Sequence, residues 1–115
     1  MREQVRDKGR LEHIMESIDY IYTFVENVTF EDYCSNAMMR FAVVKNLEIV
    51  GEASYKLTNE LRATHPEIEW RKVIGLRHVL VHGYYNIENE QIWEIILDDL
   101  KPFKQKIQQI YDTLQ

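Results

Sequence analysis

The sequence predicts an all-α protein: an antiparallel, up-and-down four-helix bundle formed by a single domain over residues 1–115. Apolar residues recur at helical spacing in four segments, and none of these segments alternates as a half-buried strand does. Only four glycines and two prolines interrupt the 115 residues, whereas an all-β fold needs many tight turns. The single cysteine, Cys34, excludes an internal disulfide framework and a Cys-rich zinc site.

The first helix is predicted from an apolar stripe that recurs every three or four residues, with Asp7 as its N-cap. The stripe consists of Leu11, Ile14, Met15, Ile18, Ile21, Tyr22 and Val25. Residues 27–34 are predicted to be a connection in which Thr29 is placed to cap a short turn.

The second helix is predicted over residues 35–64, with a stripe through Leu47, Val50, Ser54, Leu57 and Leu61. Gly51 lies inside this helix, where glycine costs about 1 kcal/mol relative to alanine, so we expect it to permit close helix packing. The helix is expected to end at His65-Pro66, because a residue before proline avoids the helical region.

The third and fourth helices are predicted over residues 69–82 and 89–114. Gly83 follows the third helix and is suited to the C′ position. Pro102 lies inside the apolar pattern of the fourth helix and predicts a kink or local break there.

The charge of the chain is unevenly distributed. Fourteen Lys and Arg against nineteen Asp and Glu give a net charge of −5, which by itself does not favour nucleic-acid binding. Residues 62–82 reverse this balance, with four Lys or Arg and three His against two Glu, and they are the predicted place for an anion. The charged N-terminus has no apolar signal region, and no apolar run approaches the ~18 residues of a membrane span. A cytoplasmic location without membrane contact is therefore expected.

Arg77 is the anomaly of the third helix. On an ideal helix it falls at about 340° from Trp70, in the middle of the apolar arc, where an unpaired charge is costly. Two interpretations stay open: a structural salt bridge with Glu48 or Glu52, or an anion-binding arginine at the mouth of an interhelical groove.

His82 ends the same helix, where the helix dipole favours imidazolium. It is either a simple cap or a general acid or base. Because Arg77 and His82 point about 140° apart, a compact site needs a distorted last turn or two chains around a shared groove. His78 lies four residues before His82, which raises a zinc site, but two histidines without the H-E-x-x-H arrangement are weak support. No metal and no cofactor are expected.

Four blocks of the sequence carry a family resemblance: residues 48–53 (EIVGEA), 65–71 (HPEIEWR), 74–84 (IGLRHVLVHGY) and 92–100 (IWEIILDDL). Together they resemble the HepT-like toxins of the HEPN ribonuclease superfamily over nearly the whole chain. The diagnostic motif of that family, R-x4-H-x-Y, is present as Arg77, His82 and Tyr84.

The resemblance implies a HEPN-like fold and a metal-independent endoribonuclease with Arg77 and His82 as its catalytic residues. It implies the toxin of a type VII-like toxin–antitoxin system, active on RNA as a homodimer in which the motifs of both chains line one cleft. Its partner would be a small nucleotidyltransferase antitoxin that silences the toxin by transferring AMP to Tyr84. His78, where the family often has Asn, would have an accessory role. The alternative is a non-catalytic helical binding module that docks a nucleotidyltransferase.

Overall fold

Helices account for nearly all of the chain that the computed structural model describes, which comprises residues 2–83 and 87–114, with side chains from Arg6 onward. No strand occurs within these ranges, so the all-α prediction is confirmed. The α-helices are α1 (Arg2–Val25), α2 (Phe30–Ser35), α3 (Ala37–Lys56), α4 (Asn59–Thr64), α5 (Trp70–Gly83), α6 (Asn89–Glu94) and α7 (Leu100–Thr113), and a π-helical turn (Ile95–Asp99) joins the last two.

Helices α1 and α7 run antiparallel along one another. The Tyr111 hydroxyl donates to Glu12 at 3.0 Å, and Lys104 pairs with Asp19 at 2.6 Å. Residue numbers thus rise along α1 as they fall along α7. Helix α1 also packs on α3, and α3 packs on α5.

The core lies where the predicted stripes meet. Leu11, Ile14, Ile18 and Ile21 of α1 are fully buried, which confirms the stripe of the first helix. Among the residues of the second predicted helix, Leu47, Val50, Ser54, Leu57 and Leu61 are buried as expected. Thr29 also caps α2 as predicted, since its side chain accepts from the Asp32 backbone N–H.

Two predictions about the start of the fold are wrong. Asp7 is not the N-cap of α1, because the helix begins at Arg2 and Asp7 is buried within it. The predicted helix over residues 35–64 is interrupted at Leu57 and Thr58, where α4 begins anew. Asp7 instead accepts from the backbone N–H and the hydroxyl of Thr58, at 3.0 and 2.7 Å, and Thr58 is the N-cap of α4. This contact joins residues 51 positions apart and has no local signature.

The break expected at Pro102 occurs one turn earlier, in the π-helical turn Ile95–Asp99. Proline lacks an N–H, and its ring clashes with the carbonyl four residues before it, here Asp98. Widening the preceding turn relieves that clash and lets α7 continue. Gly83 is likewise still part of α5 rather than a C′ residue, and none of the described glycines has a positive φ. None of the helices in these ranges is both long and apolar enough to cross a membrane.

Candidate active site

Gly51 is the point at which α3 and α5 come closest. A Cβ built on Gly51 would lie 2.1 Å from Cβ of Arg77 and 3.1 Å from its Cα. No side chain fits there, which confirms that this glycine serves close helix packing. The contact fixes Cα and Cβ of Arg77 against the backbone of α3.

The Arg77 guanidinium is also held at its far end. Its Nη2 lies 2.6 Å from a carboxylate oxygen of Glu52, one residue beyond Gly51, and its Cζ lies 5.9 Å from the centre of the Tyr55 ring. The pair is formed with Glu52 and not with Glu48, which instead pairs with Lys45 at 3.7 Å. Part of the guanidinium still reaches solvent, since 28 % of the Arg77 side chain is exposed.

One donor of Arg77 is unused. Its Nε is buried and has no hydrogen-bond partner among the described residues. A buried donor without a partner costs about 1–3 kcal/mol, and because this atom is inaccessible to solvent, an anion would contact the exposed part of the Arg77 side chain instead. The salt bridge to Glu52 is compatible with the anion-binding interpretation, since part of the side chain stays exposed.

His82 lies in the last turn of α5 and is exposed. Its ring packs on that of His78, one turn earlier, with the ring centres 4.7 Å apart and the planes tilted by 54°. Both residues are exposed to solvent. Within residues 2–83 and 87–114, no group of three or more His, Cys, Asp or Glu could hold a metal ion.

Arg77 and His82 do not converge within one chain. Helix α5 stays α-helical through both residues, so no distorted last turn closes the angle of about 140° between them. Arg77 contacts α3, whereas His82 faces outward at the helix end. Of the two routes to a compact site, a single distorted chain or two chains sharing a groove, the geometry favours the second.

Arg77 opens into a groove between α1, α3 and α5, which we call the basic groove. Six cationic or histidine side chains line it: Arg6, Arg10, His13, Lys45, Lys56 and Arg77. Residues 62–82 are the predicted place for an anion, whereas three of the basic side chains that line the groove, Arg6, Arg10 and His13, belong to α1. A signal was present, because Arg6, Arg10 and His13 are spaced by four and then three residues and share one helix face.

The predicted modification site, Tyr84, lies outside the described residues. Arg71 and Lys72, in contrast, are exposed on the solvent face of α5, and Lys72 approaches Glu69 only at 4.0 Å.

Comparison with known proteins bears on this arrangement. The model of the family described as "Ribonuclease HepT-like" matches residues 14–110. The chain belongs to this family. Both the resemblance noted in the sequence and the enzyme class that it implied, a ribonuclease, are thereby confirmed. Arg77, His82 and Tyr84 all fall within the matched range.

Relatives in archaea extend over nearly the same length. The chain is 35 % identical over 103 residues to "Probable ribonuclease HepT" of Thermococcus cleftensis, covering 90 % of this chain and 94 % of the relative. It is 33 % identical over 101 residues to "Putative RNase MJ1380" of Methanocaldococcus jannaschii, covering 88 % and 93 %. Among solved structures, none matches the chain.

Proposed function

We propose that this HepT-like chain is a metal-independent endoribonuclease in which Arg77 and His82 act on one phosphodiester. The observation that carries the proposal is the state of Arg77, which is held by Gly51 and Glu52 and stays part-exposed in a basic groove. An arginine held in this way fits a phosphate, and the same helix carries an exposed imidazole five residues further on.

The reaction needs only these two kinds of group. The RNA 2′-oxygen attacks the neighbouring phosphorus, and the bond from phosphorus to the 5′-oxygen breaks. One His82 imidazole takes the 2′-hydroxyl proton or gives a proton to the departing 5′-oxygen. Arg77 neutralises the charge that develops on the phosphorane. The products are a 2′,3′-cyclic phosphate and a 5′-hydroxyl, and His78 has at most an accessory role.

A homodimer would supply the convergence that one chain lacks. Two α5 helices around a shared groove would place the Arg77 of each chain and the His82 of each chain in one cleft. Exposed apolar side chains on α5 and at the start of α3 support a protein contact here, because Met38 is 82 % exposed, Val79 43 % and Val81 45 %. Light scattering at micromolar concentration should give twice the 13.9 kDa of the chain, and a stable monomer would contradict the shared cleft.

Cleavage of a labelled RNA by the purified protein tests the chemistry. Activity should persist in EDTA, and end analysis should show the cyclic phosphate. Arg77→Ala should abolish cleavage and Arg77→Lys should restore little of it, because an ammonium cannot form the planar fork of hydrogen bonds. Loss of activity in EDTA that zinc restores would instead favour a metal bound by His78 and His82. Absence of cleavage by a folded dimer would leave the alternative, a helical module that docks a nucleotidyltransferase.

We further propose that the protein is the toxin of a type VII-like toxin–antitoxin system. A small nucleotidyltransferase would transfer AMP from ATP to the Tyr84 oxygen and release pyrophosphate. The support is the R-x4-H-x-Y motif within a HepT-like chain. AMP on Tyr84, seven residues after Arg77 in the sequence, would supply a phosphate that competes with RNA for the Arg77 guanidinium. Mass spectrometry after co-expression with a nucleotidyltransferase encoded beside this chain should show one added AMP, absent in Tyr84→Phe. AMP on Tyr85 would contradict the assignment.

A cytoplasmic location remains a prediction.

A further inference from the structure

The basic groove extends well beyond Arg77. It has a volume of ≈ 630 Å³ and lies between the start of α1, the middle of α3 and the C-terminal half of α5. Along α1 its basic side chains reach from Arg6 to His13, about 10 Å at the rise of an α-helix. The groove is therefore larger than one phosphate needs, and its cations come from three different helices.

The groove is positive although the protein is acidic. Five Lys or Arg side chains line it against two carboxylates, those of Glu48 and Glu52, while the whole chain has a charge of −5. The opposite side of α1 has an excess of acidic groups, since Glu12, Glu16 and Asp19 line a shallow depression there together with Lys104, which pairs with Asp19. Charge is thus separated across α1, which steers an anion toward one side of the molecule.

Arg6, Lys45 and Lys56 are only weakly engaged by the protein, whereas Arg10 lies 3.7 Å from the buried Asp7 carboxylate and Arg77 lies 2.6 Å from Glu52. Lys45 lies 3.7 Å from Glu48 and Lys56 lies 3.5 Å from Glu52, with 71 % and 59 % of the two lysine side chains exposed. Exposed pairs of this kind contribute roughly 0–1 kcal/mol. Arg6 is exposed and forms no ion pair with the described residues. A phosphate can therefore bind Arg6, Lys45 or Lys56 without breaking a strong contact.

We propose that the basic groove holds the backbone of the RNA strand on one side of the cut, with the phosphate to be cleaved at Arg77 and flanking phosphates on Arg6, Arg10 and Lys45. The assignment rests on the proposed function. The side chains concerned are cations on long stems rather than base-reading amides or stacking aromatics, so the groove reads charge and not sequence.

Equilibrium binding separates this assignment from the chemistry. The full chain with His82→Ala would bind a fluorescein-labelled single-stranded RNA of mixed sequence without cutting it, and anisotropy would be measured at several salt concentrations. Arg6→Gln with Lys45→Gln removes two groove cations. The matched control, Lys8→Gln with Lys101→Gln, removes the same charge elsewhere: Lys8 lies between Arg6 and Arg10 in sequence but sits 5.2 Å from the centre of the Tyr111 ring, on the α7 side.

The groove variant should bind RNA roughly tenfold more weakly at 0.1 M salt, and its slope of log K against log salt should fall by about 1.4, or 0.7 for each phosphate contact. The control should bind as the parent does. If the groove variant and the control bound RNA equally well, the proposed role of the basic groove would be wrong. The proposed function would still stand if the wild type cleaves RNA. RNA binding through the groove by a wild type that cuts nothing would support the groove and overturn the function. No RNA binding by any form would overturn both.

Discussion

The two motif residues of α5 lie in opposite kinds of surroundings. At Arg77, α3 and α5 are in such close contact that not even a Cβ fits on Gly51, and Glu52 holds the guanidinium. At the His82 end, the imidazole is exposed, and the helix there borders a cavity of ≈ 160 Å³ that Tyr33, Arg40 and Leu80 help to line. One chain thus orients the proposed phosphate-binding group, Arg77, but leaves the proposed proton-transfer group, His82, exposed to water. The difference explains why a chain with both residues would still need a second surface to assemble a site.

The largest effect should come from the exposed end. His82→Ala removes the proton transfer and should lower RNA cleavage by roughly 10²–10⁴-fold. Because the side chain is exposed, the free energy of unfolding measured in urea should stay within about 0.5 kcal/mol of wild type. A cleavage assay and a urea titration check both halves. If His82→Ala retained full activity, this end of the helix would have no part in the reaction.

At the packed end, a methyl group should be enough to disturb the site. Gly51→Ala forces its Cβ against Arg77 and should destabilise the protein by about 1–3 kcal/mol, with a loss of cleavage, although neither motif residue has changed. Gly75→Ala in α5 is the control: nothing lies within 4 Å of its added Cβ, so it should raise stability by about 0.5–1 kcal/mol and leave cleavage intact. Equal stability of the two variants would show that α3 and α5 can separate freely at Arg77.

Glu52→Gln should remove the ion pair that holds the Arg77 guanidinium and leave all cations of the basic groove in place. The amide keeps the size of the side chain but loses its charge, so kcat should fall roughly tenfold as Arg77 loses its orientation. KM for RNA should stay the same or fall, because one negative charge leaves the groove. Glu48→Gln removes the same charge from the same groove but contacts Lys45, so its kcat should be unchanged. If kcat fell equally in both variants, Glu52 would not be the residue that positions Arg77.

The smallest effect is expected beside the cavity at the His82 end. The Tyr33 hydroxyl is buried and has no hydrogen-bond partner among the described residues, so Tyr33→Phe should change stability at pH 8 by less than about 1 kcal/mol. Burial raises the pKa of Tyr33 to about 12. The unfolded chain ionises first, near its ordinary value, so stability falls as pH rises from there toward 12. In urea titrations, the free energy of unfolding of Tyr33→Phe relative to wild type should therefore be higher at pH 11 than at pH 8. No relative gain would place the hydroxyl in contact with water.

Patterns that depend on near neighbours in the chain were predictable. The stripe of α1, the Thr29 cap and the purpose of Gly51 all follow from spacing or local geometry, and all are confirmed. The family, too, could be inferred from short blocks around Arg77 and His82. Arg77 itself was detectable because a charge in an apolar arc violates the helix pattern.

Contacts between distant segments were decided only by the tertiary structure. Glu48 and Glu52 are four residues apart on one helix, and only the approach of α5 at Gly51 selects Glu52 as the partner of Arg77. The same applies to Asp7, which contacts Thr58, where the predicted second helix is interrupted, instead of capping α1. It also applies to the basic groove, whose cations come from three helices. The sequence by itself determined where helices form and which residues are unusual on them, because those depend on periodicity. Which side chains meet depends on how helices cross, because charges from distant segments become neighbours only when the helices that carry them pack.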